Sequence, residues 1–451
     1  MRIYNSLTKK IEDFKALDGK TVRMYSCGPT VYDNIHIGNL FSFIAADSLR
    51  RALEADGLDV KHAMNLTDID DKTIKAALEK YPDDQPLKAL QRLTDEYIEI
   101  FKRDMAEIGN DIDKLEFIRA TDCIEEMKQF ITKLHSGGFA YTADDGVYFS
   151  IEKYRKSGKK YGQLLELTEQ NTSGGRISND EYDKDSAHDF ALWKKQKDGE
   201  PAWEFEIEGH DLTGRPGWHI ECSVMSAGEL DLPFDIHTGG VDLIFPHHEN
   251  EIAQSTAMTE SPVYAQVFAH NEHLLVDSHK MSKSLNNFYT LSDIKKKGFN
   301  PLAFRLMFLQ GHYRNQLNFT NAGLTAAQNR LHDLQAWADL AWQPEGQDYE
   351  FDDERKQITG FMIDDVNTPQ ALATISHIVS SGARGPKMKE FLEFLDSCFA
   401  LGLSTRPDIS DDQKAILKQR QEVRDNNDWD ASDKFRDKLK EQGITVKDTG
   451  S

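Results

Sequence analysis

The order strand, helix, strand within about fifty residues near the N-terminus constrains this chain more than any other feature. The run "TVRMYSCGP" alternates weakly and stops at Gly28-Pro29, as a strand and its turn do. From Asn39 to Leu58, small or apolar residues at Phe41, Ile44, Ala45, Leu49, Ala52 and Leu53 have the spacing of an amphipathic helix, and Asp56-Gly57 closes it. A second strand, "DVKHAMNLT", leads into the acidic run "DIDD". A βαβ unit of this kind opens a parallel α/β domain, because parallel strands need a crossover to join them. Its first turn is "SCGPTVYDNIHIGN": Cys27 stands at the strand end and, nine positions on, His36-Ile37-Gly38-Asn39 opens the helix.

The α/β text is then interrupted. From about Pro82 to Lys160 the pattern is mainly helical. Asp122 and Glu125 are spaced as a capping box before "CIEEMKQFITKLHSGG", which Gly137-Gly138 ends, and "FAYTADDGVYFSI" reads as a hairpin around Asp145-Gly146. Ser157 to Asp185 is polar and charged, as a long surface excursion would be. Apolar, aromatic and glycine-rich text resumes with "DFALWK", "GRPGWHIECS" and "FDIHTGGVDLIFPHHENEIAQS". Beyond Phe299 the strand signals stop and successive helices follow, with a last compact unit after Arg406-Pro407. The expected division is a catalytic α/β domain over 1–115 and 201–298 with an insertion at 116–200. A helical region at 299–405 and a small C-terminal domain at 406–451 complete it.

Composition narrows the class. A chain of 451 residues with 39% apolar content has enough material for several globular domains. No stretch has the length of apolar sequence that spans a bilayer, and the N-terminus lacks a signal peptide, so a soluble cytoplasmic protein is expected. The four cysteines, Cys27, Cys123, Cys222 and Cys398, are too dispersed for a disulfide framework and read as free thiols or metal ligands. Cys123 and Cys398 are most simply core residues. A net charge of -22 argues against wholesale binding of a polyanion. The exception is Lys280 to Arg314, where Lys280, Lys283, Lys295, Lys296, Lys297, Arg305 and Arg314 face the single acid Asp293. That island reads either as a solvated helix face or as a surface that meets phosphates.

Three groups of residues carry chemistry. His36, Gly38 and Asn39 stand at the strand-to-helix turn where parallel α/β folds bind phosphate: glycine permits close approach, and imidazole and amide supply donors. "KMSKS", Lys280 to Ser284, offers two lysines in five positions. In "FPHHENE", His247 and Glu251 are four apart and share a helix face, with Cys222 upstream and Cys27 at the first strand end. Thiolate, imidazole and carboxylate are all zinc ligands. Buried free cysteines with a capping His-Glu pair explain the same spacing, and His248, Glu249 and His219 compete as ligands.

Taken together, "CGPTVYDNIHIGN", "NLTDIDDK", "DFALWK", "GRPGWHIECS", "FDIHTGGVDLIFPHHENEIAQS", "HLLVDSHKMSKSLNNF" and "LQGHYRNQLNFT" resemble, in order and over nearly the whole chain, the cysteinyl-tRNA synthetase family of class I. The resemblance implies a Rossmann-type catalytic domain with a connective insertion and an all-α C-terminal region. It implies activation of L-cysteine with ATP and Mg2+, followed by transfer to the terminal adenosine of tRNA(Cys) by a monomer. Its two ATP signatures fall on His36 to Asn39 and on Lys280 to Ser284. Lys283 is expected near the phosphates, where an ammonium stabilises charge growing in the transition state, and Lys280 supports it. Gly240 and Asp242 match the region that meets adenosine. Cys27, Cys222, His247 and Glu251 match the positions that hold one Zn2+, while Thr67, Trp218 and His237 match the cysteine pocket. Serine and cysteine differ too little for packing alone to separate them, whereas a thiophilic ion does so, and no separate editing domain is then required. Arg424, Trp429, Asp433, Arg436 and Asp448 match anticodon-reading positions, where an aromatic stacks on an unpaired base. The alternative is a small helical subdomain with a core tryptophan and solvated charges.

The chain departs from the family pattern in four places. Asn39 replaces a second histidine, and Asn286 stands where glycine is usual. "EIEGHDLTGRPGW" is longer and more acidic than expected, and little follows Asp448, so weaker tRNA binding is expected. Two other readings share parts of the pattern: a ligase joining cysteine to a small amine, and a non-catalytic zinc- or RNA-binding paralogue. The C-terminal unit speaks against the first, and the combination of His36, Lys280 and Lys283 against the second.

Overall fold

Five strands, β1 (Thr21–Ser26), β2 (Asp59–Leu66), β3 (Leu115–Arg119), β4 (Phe234–Gly240) and β5 (Ala265–Asn271), pair in the order β5-β4-β1-β2-β3. Every neighbouring pair is parallel. The order reverses beside β1: the chain steps outward to β2 and β3, then returns to the other side for β4 and β5. The crevice between the carboxyl ends of β1 and β4 is therefore the topological switch point, where open parallel sheets bind ligands. The computed structural model describes residues 1–165, 176–177, 188–281, 287–342 and 349–446. Among the described residues no helix is long and apolar enough to cross a membrane.

The crossover helix α1 (Ile37–Ala55) begins at His36 and closes at Asp56, with Gly57 at φ +83° in the left-handed region. Leu40, Ile44, Leu49 and Leu53 are buried, as the periodicity requires. The helix is enclosed on more than one side: Phe41 stacks on Phe308 with ring centroids 4.9 Å apart, and Phe43 meets Phe101 at 5.3 Å. It also carries buried charge. Asp47 accepts from Arg50 at 2.6 Å, Arg51 at 2.7 Å and Arg305 at 2.5 Å. Other guanidinium donors of Arg51 and Arg305 reach the carbonyls of Asp396, Ser397 and Phe399. Those carbonyls close the helix Met388–Phe399, whose partial negative end favours cations. The catalytic sheet and the C-terminal helices are thus joined by ion pairs as well as by apolar packing.

Between β3 and β4 the chain builds a second, antiparallel sheet from Ala140–Ala143, Gly146–Phe149, Asp189–Lys195 and Gly214–Pro216. The expected hairpin is its first two strands, with Ala143 paired to Gly146. β3, at the junction of 115 and 116, joins the central sheet, and the insertion's sheet runs on to Pro216. Much of the expected excursion, residues 166–175 and 178–185, lies outside the described residues. The capping box expected from Asp122 and Glu125 does not form. Helix Ile124–Ser136 starts behind a short tight turn with Cys123 at its cap and no side-chain cap bond. Asp68 instead holds Thr121 through its N–H at 2.9 Å and its hydroxyl at 2.6 Å, fixing the preceding turn.

One further expectation is corrected. A three-residue strand, Leu317–Phe319, does occur beyond Phe299, parallel to Leu274–Val276; a strand so short is set by its partner and has no periodicity to read. Part of the basic island, which the sequence leaves open between two readings, is paired with acids. Arg305 is fully buried on Asp47, Arg314 lies 2.5 Å from Asp365, and Lys295 lies 2.6 Å from Glu107. Helices 411–425 and 429–441 form the final hairpin, with a capping box from Ser410 and Gln413 at its start.

Candidate active site

At the switch point, β1 ends on Ser26 and hands over to Cys27, whose N–H donates to the Thr238 carbonyl of β4 at 3.2 Å. Gly28 must lack a side chain, since a Cβ there would lie 1.8 Å from the Asn65 carbonyl. α2 (Trp218–Leu230) puts Trp218 and Cys222, four apart, on one face. α3 (Glu249–Thr256) follows a distorted turn, Ile244–His248, in which Phe245 is extended. His247 Nε2 lies 3.0 Å from Glu251 Oε1, and Cys27 Sγ lies 3.9 Å from both Cys222 Sγ and Glu251 Oε1. The four expected metal ligands therefore converge: their ligand atoms all lie within 4.8 Å of one another.

A second overlapping set, Cys27, His237, His248 and Glu251, meets the same criterion, with His248 Nε2 3.3 Å from Cys27 Sγ. Two imidazoles of the cluster, His247 and His248, are held from their other side. His247 Nδ1 faces His219 Nδ1 at 2.9 Å, His248 Nδ1 faces His270 Nε2 at 2.8 Å, and His270 Nδ1 faces Ser6 Oγ at 2.8 Å. Glu251 Oε2 takes His237 Nε2 at 2.8 Å and the Tyr264 hydroxyl at 3.0 Å. Glu249, a competing ligand in sequence, turns away and accepts backbone N–H groups of the insertion.

The electrostatics are those of a cation site. Burial opposes the charge on Glu251, but His237 and His247 hold its carboxyl well below the usual range. Burial alone would lower His247, yet Glu251 and Cys222 beside it raise it to about 10. Burial also opposes ionising Cys222, but the hydrogen bond from Cys27 and the charge of His247 bring it down to about 6. Burial, then Cys222 alongside, pushes the Cys27 thiol up. The donor set fits zinc: Zn–S bonds of about 2.3 Å in a tetrahedron put two sulfurs about 3.8 Å apart. The observed separation is 3.9 Å.

Of the three residues expected to line the cysteine pocket, Trp218 and His237 touch this cluster. The Trp218 ring stacks on His247, centroids 4.1 Å apart and 18° from parallel. His237 is buried against Glu251, closer to the metal candidates than a purely substrate-facing residue would be. Thr67 is buried, and its hydroxyl donates to Glu221 Oε2 at 2.8 Å while accepting from Asn65 Nδ2 at 3.0 Å. Glu221, His219, Tyr264 and His270 were not singled out for these roles in the sequence. Their partners lie far along the chain, although Glu221 and His219 stand inside "GRPGWHIECS" beside Cys222.

On the nucleotide side, His36 is the N-cap of α1: its Nδ1 accepts from the N–H of Gly38 at 3.1 Å and of Asn39 at 3.2 Å. Burial lowers its pKa against the opposing charge of Asp242, so the ring is neutral near pH 7, with Nδ1 accepting and Nε2–H left as the donor. Gly38 is confined as well, because a Cβ would fall 2.5 Å from Met281 Cε. Ile37 N–H donates to the Tyr289 carbonyl at 2.9 Å and Phe288 meets the His36 ring edge-on at 5.0 Å, so the segment that follows "KMSKS" packs on the tetrad. Gly240 leaves room for Asp242, whose Oδ1 would be 2.5 Å from a Cβ there. Lys280 is exposed, and its carbonyl accepts from Asn287 at 3.1 Å. Lys283 and Asn286 lie outside the described residues.

In the C-terminal hairpin Trp429 is 55% exposed, which removes the core-tryptophan alternative. The Arg424 guanidinium lies 5.3 Å from its ring, and Arg436 pairs with Asp433 at 2.8 Å. Asp448 lies outside the described residues.

Comparison with known proteins is consistent across the chain. Residues 13–329 match the family model described as tRNA synthetases class I (C) catalytic domain, and residues 406–451 match the cysteinyl-tRNA ligase anticodon binding domain. A cysteine--tRNA ligase of Leptospira interrogans is 37% identical over 475 residues, spanning 100% of this chain and 98% of that protein. Among solved structures, Mycobacterium tuberculosis methionyl-tRNA synthetase in complex with methionyl-adenylate superposes with a TM-score of 0.58 at 14% identity, over 85% of this chain and 88% of the other. The LeuRS of Agrobacterium radiobacter K84, in a ternary complex, does so at 0.58 and 12%, over 87% and 85%. These two share the fold.

Proposed function

The chain belongs to the cysteine--tRNA ligase family of class I synthetases, and we propose on that premise that it joins L-cysteine to tRNA(Cys) in two steps at the β1–β4 crevice. In the first, the cysteine carboxylate attacks the α-phosphorus of Mg2+-bound ATP, forming cysteinyl-adenylate and releasing pyrophosphate. In the second, a ribose hydroxyl of the 3'-terminal adenosine attacks the acyl carbon, and AMP leaves. The single observation that carries this reading is the convergence of Cys27, Cys222, His247 and Glu251 at a strand end whose following turn presents His36.

Those four residues would hold Zn2+, which when bound supplies a thiophilic Lewis acid that favours a substrate thiolate over the hydroxyl of serine. Trp218, stacked on His247, walls the pocket, and Thr67 borders it. His36 donates from Nε2 to phosphate, with Gly38 admitting the close approach, and Asp242 beside Gly240 engages the adenosine side. Lys283 meets the charge that grows as pyrophosphate departs, and Lys280 assists. Holding the carboxylate against the α-phosphate removes most of the entropic cost of their encounter. The exposed Trp429 with Arg424 over its ring supports stacking on an anticodon base. A monomer working in the cytoplasm, where tRNA, ATP and cysteine meet, completes the reading.

Cysteine-dependent ATP–pyrophosphate exchange, with serine as control, followed by charging of transcribed tRNA(Cys), tests the reading. Exchange with cysteine alone and charging of the transcript are expected. Absence of exchange overturns the activation step, and exchange without charging overturns the tRNA step. Lys283→Ala should slow exchange about 100-fold or more with zinc content unchanged; wild-type exchange would remove that lysine from the mechanism.

A further inference from the structure

Glu249 stands between two expected zinc ligands in sequence, yet it serves a different partner. Its carboxylate is fully buried and receives three consecutive backbone N–H groups of the insertion: Gly162 at 2.5 Å, Gln163 at 2.9 Å to each oxygen, and Leu164 at 3.0 Å. The nest depends on Gly162, which has φ +96° and so occupies the region that disfavours side chains. The contact is one of a row. Tyr161 donates to Asn250 Oδ1 at 2.5 Å, Tyr154 and Thr256 share a hydroxyl bond at 2.8 Å, and Lys159 Nζ reaches the Thr256 carbonyl and that of Thr259. The insertion's segment 154–164 therefore grips the outer side of α3 from its first residue to its last.

The inner side of the same helix presents Glu251 to the thiols, with His247 immediately before it. The turn that leads into α3 is broken at Phe245, whose backbone is extended, and behind it the Glu249 N–H to Pro246 carbonyl bond closes onto the helix start, so the register of α3 is not inherited from a regular helix. Among the described residues, Glu249 ties this start to the insertion by several bonds at once. We propose that Glu249 is a positioning residue: the nest of Gly162 to Leu164 locks the register of α3 and so sets the placement of His247 and Glu251 around the metal. The insertion then holds the thiol-selecting site in shape without touching substrate. This inference rests on the metal assignment proposed above.

The test uses the full-length zinc-loaded protein and three readouts: zinc withdrawal by excess chelator followed with a zinc-sensitive dye, the absorption spectrum of the Co2+-substituted protein, and KM for cysteine against KM for ATP. Glu249→Ala and Gly162→Ala are expected to release zinc about 10- to 100-fold faster, the range seen when supports of metal ligands are lost. They should also alter the cobalt spectrum and raise KM for cysteine while leaving that for ATP. Glu249→Gln, which keeps one acceptor oxygen, should fall between, and it decides the matter with Gly162→Ala if the alanine variant does not fold. Tyr154→Phe, which loosens the far end of the grip, should lower Tm with zinc release unchanged. Wild-type zinc release and an unaltered cobalt spectrum in the Glu249 and Gly162 variants, whatever their Tm, would overturn the proposal. A wild-type chain that binds no stoichiometric zinc would overturn the metal assignment and this inference with it.

Discussion

Asp47 and Glu251 are both carboxylates out of reach of water, 5% and 0% exposed, and the protein treats them in opposite ways. Asp47 is surrounded by three guanidiniums whose charge is permanent at any physiological pH. Burial raises its pKa, but Arg305, Arg51 and Arg50 pull it far below the carboxylate range. Burial draws Arg305 down to about 10, which still leaves it charged. The spare guanidinium donors end on backbone carbonyls, on Asn110 Oδ1 and on the Glu54 carboxylate, so the centre is closed. Glu251 instead meets His237, His247, Tyr264 and Cys27, groups whose charge depends on protons or on a metal. The Tyr25 hydroxyl, buried nearby, has no hydrogen-bond partner among the described residues. A centre finished by arginines is architecture; a centre left to imidazoles and thiols is ready for a cation.

Removing one member of each centre separates the two cases. Asp47→Ala leaves the buried guanidiniums of Arg51 and Arg305 without an anion, while Arg50 keeps Glu54, and should cost about 3–5 kcal/mol, read as a lower urea midpoint. What remains folded should keep its KM for cysteine. A cost under about 1 kcal/mol would mean that water or rearrangement satisfies the arginines, and the contrast would fail. Cys222→Ser is nearly isosteric and should leave the urea midpoint of the metal-free protein close to wild type. Its effect should fall on binding: zinc content near zero and KM for cysteine up roughly 100-fold, with KM for ATP little changed. Unchanged zinc content would remove Cys222 from the ligand set.

How far these centres are legible in sequence depends on where their partners lie. α1 and its flanking strands can be read because periodicity and the Asp56-Gly57 stop are local signals. His247 and Glu251 can be paired because four residues make one helical turn. The second histidine defeats that logic: Phe245 is extended, the helix begins irregularly, and both His247 and His248 point toward Cys27 or its neighbours. His36 reads as a phosphate donor in sequence, yet one of its nitrogens is spent capping α1, a role that Ser, Thr, Asp and Asn usually fill. Arg305 reads as part of a basic surface and is buried, because its partner Asp47 lies 258 positions away. No window of sequence joins those two. Glu249 looks like a ligand until the insertion's backbone is placed beside it.

His62 on β2 stands between the two centres and gives the finest test of their difference. Its Nε2 lies 2.7 Å from Ser26 Oγ, next to Cys27, while its pKa feels Arg50 and Asp47. Burial, aided by Arg50, lowers it to about 3. An unfolded histidine titrates near 6.5, so between those values the unfolded chain binds a proton that the folded chain refuses. Stability due to His62 is therefore intact above about pH 6.5 and declines as pH falls, by about 1.4 kcal/mol per unit and about 2 kcal/mol by pH 5. His62→Gln removes that penalty and forfeits one buried hydrogen bond worth about 1 kcal/mol. Urea midpoints should accordingly favour the wild type at pH 7.5, cross near pH 6 and favour the variant at pH 5. The arginine-closed centre contributes nothing to this slope, since Asp47 stays ionised throughout the range. Parallel curves for the two proteins would mean that His62 takes up its proton in the folded state, and that the Asp47 centre compensates protons as readily as the Glu251 centre does.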